Sequence, residues 1–184
     1  MAIAPVALSF LAKPLEPDQG HLVAPFGKLV TMGQTTIAVN DGTALRCDIE
    51  KFPAEQAKPG FALITSIYQA KAQSLPRSID MLERHSQTPQ LILPLSGNGH
   101  VMVACCSDSD GCPDLSTLRA FRLASSQGII YDAGIWHHPI IAIDSMAQFL
   151  VQSWQNGKPD DCEITKIDQT LVNLDSATVR ENGQ

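Results

Sequence analysis

The sequence predicts an all-β domain, a sandwich or barrel of short strands with a few short helical turns. Three observations predict it. Short apolar runs rich in Ile, Val and Leu recur about every ten residues. Clusters of turn-forming residues separate them. Twelve glycines and twelve prolines punctuate 184 residues, which suits many strands and turns better than long helices. Apolar residues make up 44% and charged residues 17%, so the chain can bury a core and is neither disordered nor membrane-like. The length fits one domain, residues 1–184.

Along the chain, Met1–Ala12 is apolar but lacks a basic start and carries Pro5, so it makes a poor signal peptide. Residues 13–28 read as an irregular lead-in with one short helical turn. The expected strands follow as Ala44–Phe52, Phe61–Gln69, Ser78–His85, Gln90–Leu95, His100–Cys106, Leu118–Leu123, Gly128–Tyr131, Pro139–Ile143, Gln148–Trp154 and Glu163–Ile167. Lys58-Pro59-Gly60, Gly97-Asn98-Gly99, Ser107–Pro113 and Asn156–Asp161 break them. Within Pro113–Thr117 an Asp precedes a short apolar turn, the pattern of a capped helical start. The core spans about residues 13–167, and the polar tail 175–184 is expected to fray. Ser107–Gly111 resembles part of a calcium loop but has no Glu at its twelfth position, so it reads as a surface turn.

Composition also excludes functions. The formal charge is -6 and aromatics are 5%, which argues against a nucleic-acid binder. No run approaches the roughly 20 apolar residues of a membrane span. Cys47, Cys105, Cys106, Cys112 and Cys162 form no CxxC pair and are odd in number. They read as reduced thiols of a cytoplasmic protein.

The chemistry-bearing residues cluster in two places. Glu83-x-His85-x4-Gln90-x6-Gly97 puts Glu83 and His85 on one face of a strand, with Gln90 opening the next strand. Gly134-x2-His137 forms the second. These spacings match the two metal-binding motifs of cupins, with Glu in place of the first His and Gln in place of the Glu. A cupin double-stranded β-helix, or jelly-roll barrel, would bring both to one lumen. Glu83, His85, Gln90 and His137 would then offer a mixed N/O site for a divalent metal such as Ni2+ or Mn2+.

Longer strings are more specific. Met81-Leu82-Glu83-Arg84-His85, Pro113-Asp114-Leu115-Ser116-Thr117-Leu118-Arg119-Ala120-Phe121 and Trp136-His137-His138-Pro139 occur in that order, with Pro25-Phe26-Gly27 before them and Asp161-Cys162-Glu163 after them. Together they resemble the ureidoglycolate lyase family, formerly called ureidoglycolate hydrolases. The resemblance implies a cupin-type homodimer acting in allantoin and purine breakdown. Such an enzyme cleaves ureidoglycolate to glyoxylate and urea, as a carbon–nitrogen lyase of the amidine-lyase type, with a divalent metal possible.

That chemistry gives the residues roles. Elimination from a hemiaminal needs a base for the hydroxyl proton, an acid for the leaving urea and a positive charge for the carboxylate. Glu83 or His137 would serve as base, with His85 and His137 as metal or acid–base partners. Arg119 would either hold the substrate carboxylate or brace the short helical turn. Tyr131 suits a substrate hydrogen bond or a place in the core. His138 is a weaker substrate-binding candidate, since alternation turns it away from His137. For the same reason Arg84 is expected on the outer face or at a dimer contact.

The chain departs from the family pattern at Gln69, Ile130-Tyr131-Asp132 and Ser153-Trp154, where many members carry Arg, Asn-Tyr-His and Asp-Arg. Two alternatives follow: another cupin enzyme acting on a small hydroxy- or amino-acid derivative, or a non-catalytic ligand binder.

Overall fold

A computed structural model describes residues 8–31, 36–50 and 59–174. Its strands are β1 (Leu8–Pro14), β2 (Gly27–Val30), β3 (Ile37–Val39), β4 (Ala44–Arg46), β5 (Ala62–Ala70), β6 (Arg77–Arg84), β7 (Gln90–Pro94), β8 (His100–Cys105), β9 (Arg119–Leu123), β10 (Gly128–Tyr131), β11 (Trp136–His137), β12 (Ile141–Ala142), β13 (Ala147–Gln155) and β14 (Glu163–Leu174). Short 3-10 turns occur at Pro17–Leu22, Leu115–Thr117 and Pro159–Asp161. Asp114 caps the second turn by accepting the Ser116 amide.

Seven strands form one sheet in the order β11-β6-β14-β1-β9-β8-β12, and β11 also pairs with β8, so six of them close into a ring. Five form a second sheet, β2-β10-β7-β13-β5. The two sheets enclose the lumen expected of a cupin-type double-stranded β-helix.

Strand alternation sorts the apolar residues into two cores. Met102, Ala104, Phe121, Leu123, Ile129, Phe149 and Val151 fill the space between the sheets. Val101, Val103, Cys105, Leu82, Trp136 and Ile141 pack on the opposite side, within the ring. Strand β8 is buried on both faces, hence its unbroken apolar run.

Turn chemistry sets the register of the site-bearing strands. Gly97 has φ +103, and a Cβ there would lie 2.5 Å from the Ala147 Cβ. Only glycine fits this bend between β7 and β8.

Several expectations need correction. Leu8–Pro14 is a strand, because it pairs in parallel with β14 and β9. Strand β14 runs on to Leu174, held between β6 and β1. The predicted strand Ala44–Phe52 ends at Arg46, and Lys51 and Phe52 lie outside the described residues. So does the tail expected to fray. Arg84 turns away from Glu83 and His85 as expected, but its side chain is largely buried. Its guanidinium stacks over Trp136 at 4.6 Å, bonds Ser107 and the Gly111 carbonyl, and pairs with Glu163 at 2.8 Å. The ring's interior needs a lid at this point, and the 107–113 turn, pinned by Arg84, supplies it. Asp108 accepts the Asp110 and Cys112 amides and so shapes that turn. No disulfide joins the five cysteines.

His100 gives the fold a pH dependence. It lies in the lumen core, edge-on to Phe149 at 5.2 Å, and neither ring nitrogen has a hydrogen-bond partner. Burial pushes its pKa down to about 4 from 6.5. Between those values the unfolded chain binds the proton that the folded chain refuses. Stability is therefore expected to be full above about pH 6.5 and to fall by up to about 3 kcal/mol as the pH drops to about 4. Urea unfolding at pH 7.0, 5.5 and 4.5 measures this, and His100→Gln is expected to flatten the slope. An unchanged slope in the variant would place the titration elsewhere.

Candidate metal centre and active-site cavity

Strand β11 holds two residues and is paired on both sides. His137 stands directly opposite Glu83 of β6 and opposite Ala104 of β8. Gly134, at φ +83, makes the turn that feeds it and donates its amide to the His85 carbonyl at 2.9 Å. Glu83 of β6 and His85, one residue past its end, both face the lumen. Their ligand atoms and one of His137 all lie within 4.8 Å of one another.

Each imidazole is oriented from behind. His85 Nδ1 lies 2.7 Å from the Asp161 carbonyl, and His137 Nδ1 lies 3.1 Å from the Ile135 carbonyl. A carbonyl only accepts, so each Nδ1 donates to the carbonyl behind it and each Nε2 faces the site. Tyr131 stacks on the His137 ring at 4.1 Å, and His85 faces it at 5.8 Å. His137 is therefore locked, with 1% of its surface exposed.

The Gln90 amide nitrogen lies 2.8 Å from His85 Nε2, while Gln90 Oε1 and His137 Nε2 are buried without hydrogen-bond partners. Buried polar atoms left without partners cost stability, and here they surround one point. Two imidazole nitrogens, a carboxylate and an amide oxygen suit a borderline divalent ion, and backbone carbonyls behind the imidazoles are the usual outer support for such a site. The residues present fit the metal that the motif spacing implies.

Electrostatics agree. Burial by itself would raise the Glu83 carboxyl, but His137 in contact at 3.5 Å, with His85 and His138 nearby, outweighs it and holds the group below its ordinary range. Burial lowers His85, against the opposing pull of the Asp161 carbonyl. At neutral pH Glu83 is thus an anion and His85 is neutral.

These groups open onto a cavity of about 510 Å3. Glu83, His85, Gln90 and Cys162 line it beside apolar Ile92 and Val151, and Gln69, Lys71, Gln73 and Gln155 are also in the lining. Sequence reasoning missed Asp161, Cys162 and Lys71 as site residues. Asp161 and Cys162 act in tandem: one carbonyl aims His85, and the Cys162 thiol lies 3.9 Å from Glu83 Oε2. Burial and the Glu83 charge push that thiol up to about 11, so it stays protonated. No spacing rule marks a backbone carbonyl or an isolated thiol.

Other expected residues lie apart. Arg119 does not line the cavity: its guanidinium turns back onto the Ser116 and Leu118 carbonyls and so braces the short helical turn. Tyr131 is fully buried behind His137. His138 is half-buried, bonded to its neighbour's carbonyl at 2.7 Å and outside the cavity lining. Of the departures from the family pattern, Gln69 lines the cavity, Asp132 is exposed, and Trp154 lies on the other face of β13 from buried Ser153.

Comparison with known proteins agrees with the sequence strings. The ureidoglycolate lyase family profile matches residues 10–173. A ureidoglycolate lyase of Pseudomonas fluorescens (strain Pf0-1) is 34% identical over 161 residues, covering 86% of this chain and 94% of that protein. One from Pseudomonas putida (strain W619) is 34% identical over 151 residues, covering 81% and 87%. Among solved structures, RmlC from Streptococcus suis in complex with dTDP-D-xylose has a TM-score of 0.48 at 10% identity, covering 82% of this chain and 75% of that one.

Metal binding is testable without turnover. Adding Ni2+ or Mn2+ at about a hundred times its dissociation constant is expected to raise the melting temperature of metal-stripped protein by about 5–10 °C. His85→Ala and His137→Ala should each abolish the shift. An equal shift in both variants would place the ion elsewhere.

Proposed function

The chain belongs to the ureidoglycolate lyase family, and from that membership we propose how its cavity cleaves ureidoglycolate to glyoxylate and urea, as a carbon–nitrogen lyase of the amidine-lyase type. The observation that carries the mechanism is the convergence of Glu83, His85 and His137 beside a cavity of about 510 Å3.

The substrate carbon bears a hydroxyl, a carboxylate and a urea nitrogen. Cleavage removes the hydroxyl proton, forms the C=O bond, breaks the C–N bond and returns one proton to nitrogen. No water is consumed, so one group can take the proton and give it back. Glu83 suits this role because it is ionised and lines the cavity. His137 is less suited as base, because it is buried behind Glu83 and outside the cavity lining. It orients the carboxylate instead. His85 and Gln90 present a neutral nitrogen and an amide to the same point. A divalent ion held by Glu83, His85, Gln90 and His137 would supply Lewis acidity, favouring loss of the hydroxyl proton and offsetting negative charge.

A homodimer completes the proposal. The face of β5 and β13 turned away from the lumen mixes apolar and polar residues: Leu63 and Ile67, 40% and 55% exposed on a strand that is an edge among the described residues, pair with Trp154 and Leu150, and Thr65 lies between them against Gln152. An edge of this kind calls for a cover. Light scattering is expected to give twice the 19.9 kDa chain mass, and Ile67→Lys should give the monomer. A monomeric parent protein would exclude the dimer.

A coupled assay for glyoxylate, run with and without chelator, tests the activity. Release above the spontaneous rate is expected, and none would refute the lyase. Glu83→Gln should lower kcat by about 10²–10⁴-fold, and full activity in that variant would remove Glu83 as base.

A further inference from the structure

The substrate is an anion, whereas the protein carries a formal charge of -6. The cavity itself places an ionised Glu83 beside the reacting centre. The second acid in the lining, Asp161, has its carboxylate occupied by the Asn156 and Gly157 amides. Beside the divalent ion that the inner residues would hold, a side-chain cation at the cavity would favour binding. Arg119, expected for this from sequence, is turned to backbone carbonyls. Arg84 is committed to Glu163, Ser107 and the Gly111 carbonyl.

Lys71 can supply that cation. It is the single lysine or arginine among the described residues that line the cavity. It directly follows β5, whose last residue Ala70 stands opposite Ala147 of β13, so its backbone is anchored. Its ammonium makes no hydrogen bond or ion pair among the described residues, and the residue is exposed as well as part of the cavity lining. The lining also includes Gln69, Gln73 and Gln155, which are neutral, and Tyr68. An uncommitted ammonium in a lining with neutral amides is placed to receive an anionic group, while the amides suit a neutral polar one.

We propose that Lys71 holds the substrate's carboxylate and thereby selects anionic ureido acids over uncharged ureido compounds. The proposal rests on the lyase reading for the identity of the substrate. It gives Lys71 a binding role that is separate from the proton transfer assigned to Glu83.

The test uses the full-length protein with Lys71→Met, which keeps length and removes charge, and Lys71→Arg, which keeps charge. An exposed position tolerates both, and an unchanged melting temperature checks this. In Lys71→Met, KM for ureidoglycolate should rise about tenfold or more, with kcat within about threefold. Lys71→Arg should stay within about threefold of the parent in both. Glyoxylate serves as a second probe that needs no turnover. Its dissociation constant by calorimetry should rise about tenfold in Lys71→Met and recover in Lys71→Arg. The carboxamide analogue of ureidoglycolate should bind parent and Lys71→Met alike. Unchanged glyoxylate binding in Lys71→Met, or equal weakening of the carboxamide, would overturn the proposal. A parent protein that forms no glyoxylate, yet binds it in a Lys71-dependent way, would refute the lyase reading and leave the anchor standing.

Discussion

The cross-strand pairing of His137 with Glu83 is the constraint on which the rest of the structure depends. Residues directly opposite each other in an antiparallel pair have Cβ atoms about 5 Å apart. The pairing therefore sets the carboxylate–imidazole distance before any side chain chooses a rotamer. A slip of one residue would turn Trp136 into the lumen and His137 out of it. Strand β11 is too short to hold this register alone. Its pairing with β6 and β8, the Gly134 turn before it and the Tyr131 ring stacked on His137 hold it together.

The alternation that makes the site also makes the second core. On β6 and one residue past its end, Glu83 and His85 face the lumen while Leu82 and Arg84 face the interior of the ring. Trp136, the neighbour of His137, packs in that ring beneath the Arg84 guanidinium. Positioning of the lumen groups is thus bound to packing on the far side of the same strands, and a loss of volume in the ring reaches the site through the backbone of β6 and β11. The segment entering β14 adds a second restraint, through the Asp161 carbonyl and the Cys162 thiol.

Charge is divided between two parts of the cavity. The inner part gathers Glu83, two imidazoles and an amide around one point. The rest of the lining holds three glutamines, Lys71 as its single lysine or arginine, and Asp161, whose carboxylate accepts backbone amides. Such a division separates proton transfer and metal binding from recognition of an anion. It also explains how an acidic chain can take an acidic substrate, since field effects across the surface are screened within about 10 Å, whereas a local ion pair is not.

Much of this was legible in the sequence. Ten-residue spacing and glycine-rich turns determined the all-β class. The Glu83-x-His85, Gln90, Gly97 and Gly134-x2-His137 spacings determined which side chains could share a lumen, because strand alternation is a local property of the backbone. Other features had no local signal. Strands β1 and β11 exist because of partners far along the chain, as their own sequences show no clear strand period. The partners of Arg84 had no local signal either, because alternation says which face a residue takes, but not what packs against that face. Arg119 takes the second of its two expected roles, the brace of the helical turn, and Lys71 carried no signal, for a related reason. A cation's residue type shows what it can bind, while only the folded chain shows which partners have already occupied it.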